Sequence, residues 1–221
     1  MKLASFKARF VRGFTLIELT ISIGIMILLT GILLASYPES AIRITLINSV
    51  HKLALMVREA QVRGSAIDSA NTSLGGYGVY IQLDTPTQIT MFGDSVSGVG
   101  GTTSIYGLPV GNGLYEMAPV NELESVVTLP SDYVISKLCV GQAYPFTCNA
   151  SGAVSFTSLT ISFIRPSPQP SIYINASKDI SYPAACIELR SPNAPLSGHI
   201  RSVEVYNSGM IRTTTLGCNS D

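Results

Sequence analysis

Residues 14–37 read FTLIELTISIGIMILLTGILLASY, an apolar run of 24 residues in which Glu18 is the only charged side chain. As an α-helix rising about 1.5 Å per residue, this run would extend roughly 36 Å, enough to cross a hydrocarbon core of about 30 Å. Because basic flanks stay on the cytoplasmic side, the sequence predicts one membrane-spanning helix with everything from Pro38 onward exported. The basic residues before the run are Lys2, Lys7, Arg9 and Arg12, with no acidic residue among them.

A cleavable secretory signal also combines a basic segment with an apolar stretch. The run here is longer than the roughly 7 to 15 residues of an ordinary signal, and Leu33 opposite Ala35 breaks the small-x-small cleavage pattern. A retained helix is therefore favoured. An ionised Glu18 inside the span would cost up to about 3 kcal/mol, so this carboxylate is expected to have a partner.

Charge is distributed unevenly along the 221 residues. The chain has 14 basic and 14 acidic residues, and charged residues make up 13% of it, against about 25% in a typical soluble domain. Since four of the 14 basic residues precede residue 14, the remainder has 10 basic and 14 acidic residues, a formal charge of −4. A neutral total argues against a general nucleic-acid binder, and 46% hydrophobic residues argue against a disordered chain.

A second helical pattern follows the apolar run. Apolar or small residues recur at intervals of three and four, which places on one stripe of a helix Leu46, Val50, Leu53, Val57, Ala60, Gly64 and Ile67. The other faces carry Arg43, Asn48, Lys52, Arg58, Glu59 and Arg63. The two patterns predict one helix from Thr15 to near Ile67, about 53 residues and roughly 80 Å long, with Pro38 as its expected point of kinking.

The remaining sequence predicts a β-rich domain. Nine segments have strand patterns, namely residues 77–83, 88–92, 124–129, 133–140, 158–164, 171–175, 185–189, 200–206 and 210–214. Asn207-Ser208-Gly209 predicts a hairpin turn between the last two. The glycine-rich stretch 93–113 is expected to be a loop rather than a phosphate cradle, because the strand and helix of a nucleotide-binding glycine motif do not flank it.

The residues at the start of the apolar run, Arg12-Gly13-Phe14-Thr15-Leu16-Ile17-Glu18-Leu19, resemble the prepilin signature of type IV pilins and type II secretion pseudopilins. The resemblance implies that a membrane-embedded aspartyl peptidase cuts after Gly13 and methylates the new amine of Phe14. The apolar helix would then serve as membrane anchor and filament core. Glu18 corresponds to the acidic residue at the fifth mature position, with an expected role in filament assembly.

Together, the patterns and the resemblance imply an α+β, type IV pilin-like fold, with a long N-terminal helix packed on a C-terminal antiparallel β-sheet domain. The expected parts are a basic prepilin leader (1–13), a transmembrane and filament-core helix (14–37), its amphipathic continuation (38–68) and an exported β-rich domain (69–221). The protein is expected in the inner (cytoplasmic) membrane as a single-pass protein with a periplasmic or extracellular C-terminal domain, and in a filament after assembly. Its expected partners are the prepilin peptidase and methylase, other pilin or pseudopilin subunits, the inner-membrane assembly platform and membrane lipid, and no cofactor is expected.

Later segments resemble, in order but diffusely, the β-rich domain of H-type minor pseudopilins and related minor pilins (the GspH/FimT family). These segments are Ser162-Phe163-Ile164-Arg165-Pro166, Cys186-Ile187-Glu188-Leu189, Ile200-Arg201-Ser202-Val203-Glu204-Val205 and Gly209-Met210-Ile211. The expected function is that of a non-enzymatic structural subunit, a minor pilin or pseudopilin, of a type II secretion pseudopilus or a type IV pilus.

The four cysteines, Cys139, Cys148, Cys186 and Cys218, all lie in the part predicted to be exported, where disulfides persist. Four cysteines allow three pairings, and the sequence does not choose among them. The short spacing favours Cys139 with Cys148, which leaves Cys186 with Cys218. A zinc site is the alternative, but a Cys-x-x-Cys pair is missing and only His51 and His199 would assist. In a host without periplasmic oxidation the cysteines would stay reduced.

Two other functions, DNA binding and enzymatic catalysis, fit the sequence less well. A DNA-binding minor pilin would need a cationic surface; Arg190, Arg201 and Arg212 are its candidates, but they are scattered in sequence, so nucleic acid is not an expected partner. A membrane-anchored enzyme would need a recognisable catalytic motif, and the sequence has neither Gly-x-Ser-x-Gly nor His-Glu-x-x-His. The remaining polar residues are expected in positions without a catalytic role. His51 is expected on a solvated or interface face of the helix, His199 at a strand edge, and Glu122 and Glu124 in solvent.

Overall fold

A computed structural model describes residues 13–66, 74–96, 102–103, 109–118, 121–149, 156–178, 180–191 and 199–219. The chain divides into two compact units, Met1–Ala41 and Ile42–Asp221. Its elements are α1 (Leu16–Ser65), β1 (Leu74–Gln82), β2 (Gln88–Ser95), β3 (Thr102–Thr103), β4 (Pro109–Val110), β5 (Leu123–Thr128), β6 (Val134–Gly141), β7 (Thr147–Cys148), β8 (Ser158–Ile164), β9 (Pro170–Ile174), β10 (Ala184–Arg190), β11 (Ile200–Tyr206) and β12 (Ile211–Thr214). The class is α+β, with an N-terminal helix and antiparallel sheets. Most of the predicted leader, residues 1–12, lies outside the described residues, as does Ile67.

Helix α1 has nearly the predicted extent and runs without interruption through Pro38. The predicted apolar stripe is confirmed, because its described members are all buried: Leu46, Val50, Leu53, Val57, Ala60 and Gly64. The residues expected on the other faces are all exposed: Arg43, Asn48, Lys52, Arg58, Glu59 and Arg63. The amphipathic reading of this part of α1 therefore matches its packing.

Two five-stranded antiparallel sheets make up most of the second unit. The first has the order β5-β2-β1-β8-β9 and the second the order β12-β11-β10-β6-β7. All nine predicted strands are present, with ends that differ from the predictions by at most three residues. The hydrophobic core combines the stripe of α1 with one face of each sheet, including Val79 and Ile161 from the first sheet and Ile187 and Val203 from the second.

The expectation of a loop over residues 93–113 is wrong for part of this stretch. Strand β2 continues to Ser95, where it pairs with Leu74 of β1, and the short strands β3 and β4 pair with each other. Glycines give no side-chain periodicity, so this pairing has no signal in the local sequence. It depends on backbone hydrogen bonding to a partner strand.

The turn predicted at Asn207-Ser208-Gly209 is confirmed. The backbone N–H of Tyr206 donates to the Met210 carbonyl at 2.9 Å, and the N–H of Gly209 donates to the Tyr206 carbonyl at 2.8 Å. Gly209 has φ +83°, a left-handed conformation that suits glycine. The turn therefore joins β11 and β12 as a three-residue hairpin loop.

Gln61 links α1 to a turn of each sheet. Its side-chain Nε2 donates to the Pro168 carbonyl at 2.9 Å, in the turn between β8 and β9, and to the Gly209 carbonyl at 3.0 Å, in the turn between β11 and β12. Its Oε1 accepts a hydrogen bond from Arg58 at 2.6 Å. One buried amide thus satisfies two carbonyls more than 100 residues away in sequence.

Candidate functional site

The segment that carries the prepilin-like residues begins with a capped helix end. Gly13, Phe14 and Thr15 precede α1, and the Thr15 side-chain oxygen accepts the backbone N–H of Glu18 at 3.3 Å. Thr15 is therefore the N-cap, and Glu18 is the third helical residue, where a carboxylate faces the positive end of the helix dipole. The Thr-x-x-Glu spacing is the capping-box pattern, a local sequence signal for the start of a helix.

The junction between Gly13 and Phe14 is open to a second molecule. Phe14 is 78% exposed, and a Cβ placed on Gly13 would meet no atom within 4 Å. The Glu18 carboxylate is exposed too, and within residues 13–66 it has neither an ion pair nor a side-chain hydrogen bond. The segment therefore presents an exposed peptide bond and, four residues after Phe14, an exposed carboxylate.

Residues Leu16–Leu34 of α1 are long and apolar enough to cross a membrane, with a mean hydropathy of 2.3 and no residue buried inside the chain. The hydroxyl groups of this stretch are satisfied within the helix: Thr20 donates to the Ile17 carbonyl, Ser22 to the Glu18 carbonyl and Thr30 to the Met26 carbonyl, at 2.7 to 2.9 Å. Because these hydroxyls need no outside partner, they add little to the cost of placing the helix in lipid or against other helices.

Both cysteine pairs favoured by the sequence are disulfide-bonded. Cys139 and Cys148 lie opposite each other on β6 and β7, with their Cα atoms 3.9 Å apart. Cys186 on β10 is joined to Cys218, which is 32 positions later, with a Cα separation of 5.7 Å. The four cysteines, together with Phe146 and Ala184, form a second small buried cluster.

The Cys186–Cys218 bond fixes the C-terminal segment against the second sheet. The N–H of Cys218 donates to Glu188 Oε2 at 3.2 Å, and the Ser202 hydroxyl donates to the Leu216 carbonyl at 2.7 Å. Lys137 Nζ donates to Asn219 Oδ1 at 2.8 Å. The segment thereby covers the face of this sheet that carries Glu188 and Ser202.

The expectation that Glu122 faces solvent is wrong, while Glu124 is exposed as expected. Glu122 is buried, and its carboxylate accepts the backbone N–H groups of Ser95 at 2.8 Å and Glu116 at 2.9 Å. The signal in the local sequence was misleading, because the N–H of Ser95 comes from a strand 27 residues away.

Asp94 lies close to Glu122 and is fully buried. Its two carboxylate oxygens accept the N–H groups of Asn112 at 2.9 Å and Gly113 at 2.8 Å. Burial raises the pKa of Asp94 to about 6 and that of Glu122 to about 7, partly offset by these backbone hydrogen bonds. Asp94 lies in the stretch expected to be a loop, where the local sequence gives no signal for a buried carboxylate.

The two histidines differ. His51 is exposed on α1, as expected, and lines a cavity of about 210 Å³ with Arg201 and Thr213. His199, expected at a strand edge, immediately precedes β11 and is buried, with 2% of its surface exposed. A group of three or more His, Cys, Asp or Glu side chains that could hold a metal is not found among the described residues.

The arginines considered for DNA binding do not form one surface. Arg190 pairs in register with Ile200, and Arg201 pairs with Leu189, so Arg190 and Arg201 lie on opposite faces of the second sheet. The Nε of Arg212 forms an ion pair with Glu204 at 2.7 Å, which offsets its charge. The part of the chain that the structure describes therefore does not bring these three side chains together.

A scan against models of protein families and searches of curated proteins and of solved structures found no significant match to this chain.

Proposed function

We propose that this chain is a prepilin, and that its processed form is a non-enzymatic structural subunit of a type II secretion pseudopilus or a type IV pilus. The observation that carries the proposal is the combination at the start of α1. An exposed Gly13–Phe14 junction directly precedes a capped helix whose third residue, Glu18, is the only charged residue of an apolar stretch. These residues resemble the prepilin signature.

Two further features support this function. The stretch Leu16–Leu34 has no residue buried within the chain, so its apolar surface needs cover from lipid or from other helices. In a filament subunit this surface contacts lipid before assembly and neighbouring helices after assembly. The second unit is tied by two disulfides, as suits a domain outside the cytoplasm.

The proposal includes a place and a set of partners. The protein would sit in the inner membrane as a single-pass protein with its disulfide-bonded unit outside the cytoplasm. The prepilin peptidase and methylase would process it, and the inner-membrane platform would assemble it with other pilin or pseudopilin subunits. The pilin-like fold and the assignment to the H-type minor pseudopilins belong to the same proposal.

Processing provides the test. We expect intact-mass analysis of the protein extracted from its native membrane to show loss of residues 1–13 and one added methyl group on the amine of Phe14. Replacing Gly13 by Leu should leave the full-length precursor, because a bulky side chain at the cut site blocks the peptidase.

Gly24→Leu is the matched control, since Gly24 lies on α1 beyond the junction and, like Gly13, has no atom within 4 Å of an added Cβ. This variant should be processed normally. A mature chain that keeps Met1, or one that begins after Ala35, would show that the prepilin assignment is wrong.

A further inference from the structure

A cavity of about 250 Å³ lies where the end of α1 meets the first sheet. It is lined by Arg63 and Ala66 from the end of the helix region, Tyr77 from β1 and Arg165, which directly follows β8. The N–H of Arg165 donates to the Gly75 carbonyl at 3.1 Å, which fixes the position of its backbone. Two arginines and a tyrosine thus border one cavity.

Arg165 is buried, and no carboxylate of the described residues forms an ion pair with it. The residue is only 6% exposed, and its Nε has no hydrogen-bond partner. Among the described residues, its guanidinium also has no ion pair with a carboxylate. A buried charge without a partner costs several kcal/mol, so an arginine in this state is expected to meet an anion from outside.

The second arginine of the cavity is already balanced. Arg63 forms an ion pair with Glu59 at 2.6 Å, one turn earlier on α1, and its guanidinium lies 5.8 Å from the centre of the Tyr77 ring. Arg63 is therefore held beside the cavity, and Glu59 offsets the charge of Arg63. Among the described residues that line the cavity, the positive charge without a partner is that of Arg165.

We propose that this cavity is an oxyanion-binding site that takes a phosphate or carboxylate group, with Arg165 as its principal ligand. A guanidinium presents planar, paired N–H donors that match two oxygens of such a group. Arg63 adds a second cation at the rim, and the Tyr77 ring forms a wall. The site is independent of the filament function proposed above.

Inorganic phosphate is the probe. The full-length protein in nonionic detergent is unfolded by heat in sodium chloride and in sodium phosphate of equal pH and ionic strength. We expect phosphate to raise the temperature midpoint of unfolding by several degrees, because a ligand that binds only the folded state stabilises that state. The rise should saturate with phosphate concentration.

Arg165→Met should abolish this response. In chloride its midpoint should be equal to or above that of the wild type, because the substitution removes an unpaired buried charge. Arg190→Met is the matched control: Arg190 is a half-buried arginine away from the cavity, and this variant should keep the phosphate response. The proposal is overturned if the wild type does not respond to phosphate, or if Arg165→Met responds as the wild type does.

Sedimentation of the same samples identifies the source of the anion. If a carboxylate of a second copy fills the site, the wild type self-associates, and both phosphate and Arg165→Met reduce the association. If a free ion fills it, the wild type is monomeric in both salts and still responds to phosphate. Asp68 follows α1 in sequence; a phosphate response found in Asp68→Asn but not in the wild type would mean that the chain supplies its own carboxylate, and this would overturn the proposal.

Discussion

Glu18 has two physical roles open to it. As the third residue of α1, after the N-cap Thr15, its carboxylate can stabilise the helix end. After the proposed cleavage, a positive amine at Phe14 would lie four residues away, about 6 Å along the helix axis. A neighbouring subunit shifted along the filament would then present its amine to this carboxylate. In an apolar core such a pair gains from Coulomb attraction, whereas an unpaired carboxylate carries a desolvation cost of several kcal/mol.

Glu18→Ala and Glu18→Gln separate these roles. Gln retains hydrogen-bonding ability at the helix end without the charge, while Ala removes both. We expect both variants to be cleaved and methylated normally, yet to enter filaments at least about tenfold less than wild type, since about 1.4 kcal/mol of lost docking energy is a factor of ten. The measurement is the fraction recovered in sheared filaments, together with the intact mass of the membrane pool.

Thr20→Ala is the control, because the Thr20 hydroxyl donates to the carbonyl of Ile17 in its own helix and needs no partner elsewhere. It should assemble normally. Normal assembly of Glu18→Gln would contradict the pairing and leave capping as the role of Glu18. A block at cleavage would assign the residue to recognition by the peptidase.

At its C-terminal end, α1 approaches β8 unusually closely. Gly64 is buried, and a Cβ at this position would lie 2.5 Å from the Phe163 carbonyl oxygen and 2.7 Å from the Phe163 Cβ. The nearest atom belongs to the backbone of β8, so it cannot turn away as the end of a flexible side chain would. The absent side chain is therefore what lets the helix and the strand pack at this distance.

Gly64→Ala should consequently reverse the usual effect of this substitution in a helix. Alanine normally stabilises a helix interior by about 1 kcal/mol relative to glycine. Here we expect a loss of about 1 to 3 kcal/mol, as for other overpacked sites. Urea unfolding of the full chain in detergent measures it. Asn48→Ala, at an exposed position of the same helix, should be neutral or slightly stabilising; equal or higher stability of Gly64→Ala would refute the close-packing argument.

The second unit as a whole contains an acid pair that links its stability to pH. Burial raises the pKa of both Asp94 and Glu122, to about 6 and about 7, and the neighbouring Glu116 carboxylate raises both further. Lys178 acts in the opposite direction on Asp94. A carboxyl whose pKa is higher in the folded than in the unfolded state binds its proton more tightly when folded. Its contribution to stability is complete below the unfolded pKa, near 4, and is lost as the pH rises through the folded pKa.

We therefore expect the free energy of unfolding to fall between pH 5 and pH 8, by about 1 to 3 kcal/mol. Glu122→Gln should reduce this slope, mainly near pH 7, because it removes the titrating group. Glu124→Gln, which changes an exposed glutamate on β5, should leave the slope unchanged. Urea unfolding at a series of pH values measures this free energy. A wild-type stability that rises between pH 5 and pH 8 would show that protonation of Asp94 and Glu122 does not stabilise the folded state.

The sequence by itself determined the features whose signals are local. The run 14–37 specified an apolar helix, the interval of three and four residues from Leu46 to Gly64 specified its buried stripe, and alternation specified nine strands. The Asn207-Ser208-Gly209 turn and the pairing of Cys139 with Cys148, whose sequence separation is 9, are of the same kind. Each depends on residues that lie close together in the chain, so the pattern and the structure carry the same information.

Only the tertiary structure decided which polar side chains are buried and what they meet. Glu122 is held by the N–H of Ser95, Gln61 by carbonyls 107 and 148 positions away, and Arg165 faces a cavity formed with the end of α1 and β1. Beside Glu124, Glu122 has the pattern of a solvent-exposed residue. Its burial, and that of Asp94 and Arg165, follows from strand pairing and helix packing between distant segments, and a local pattern of residues contains no information about those contacts.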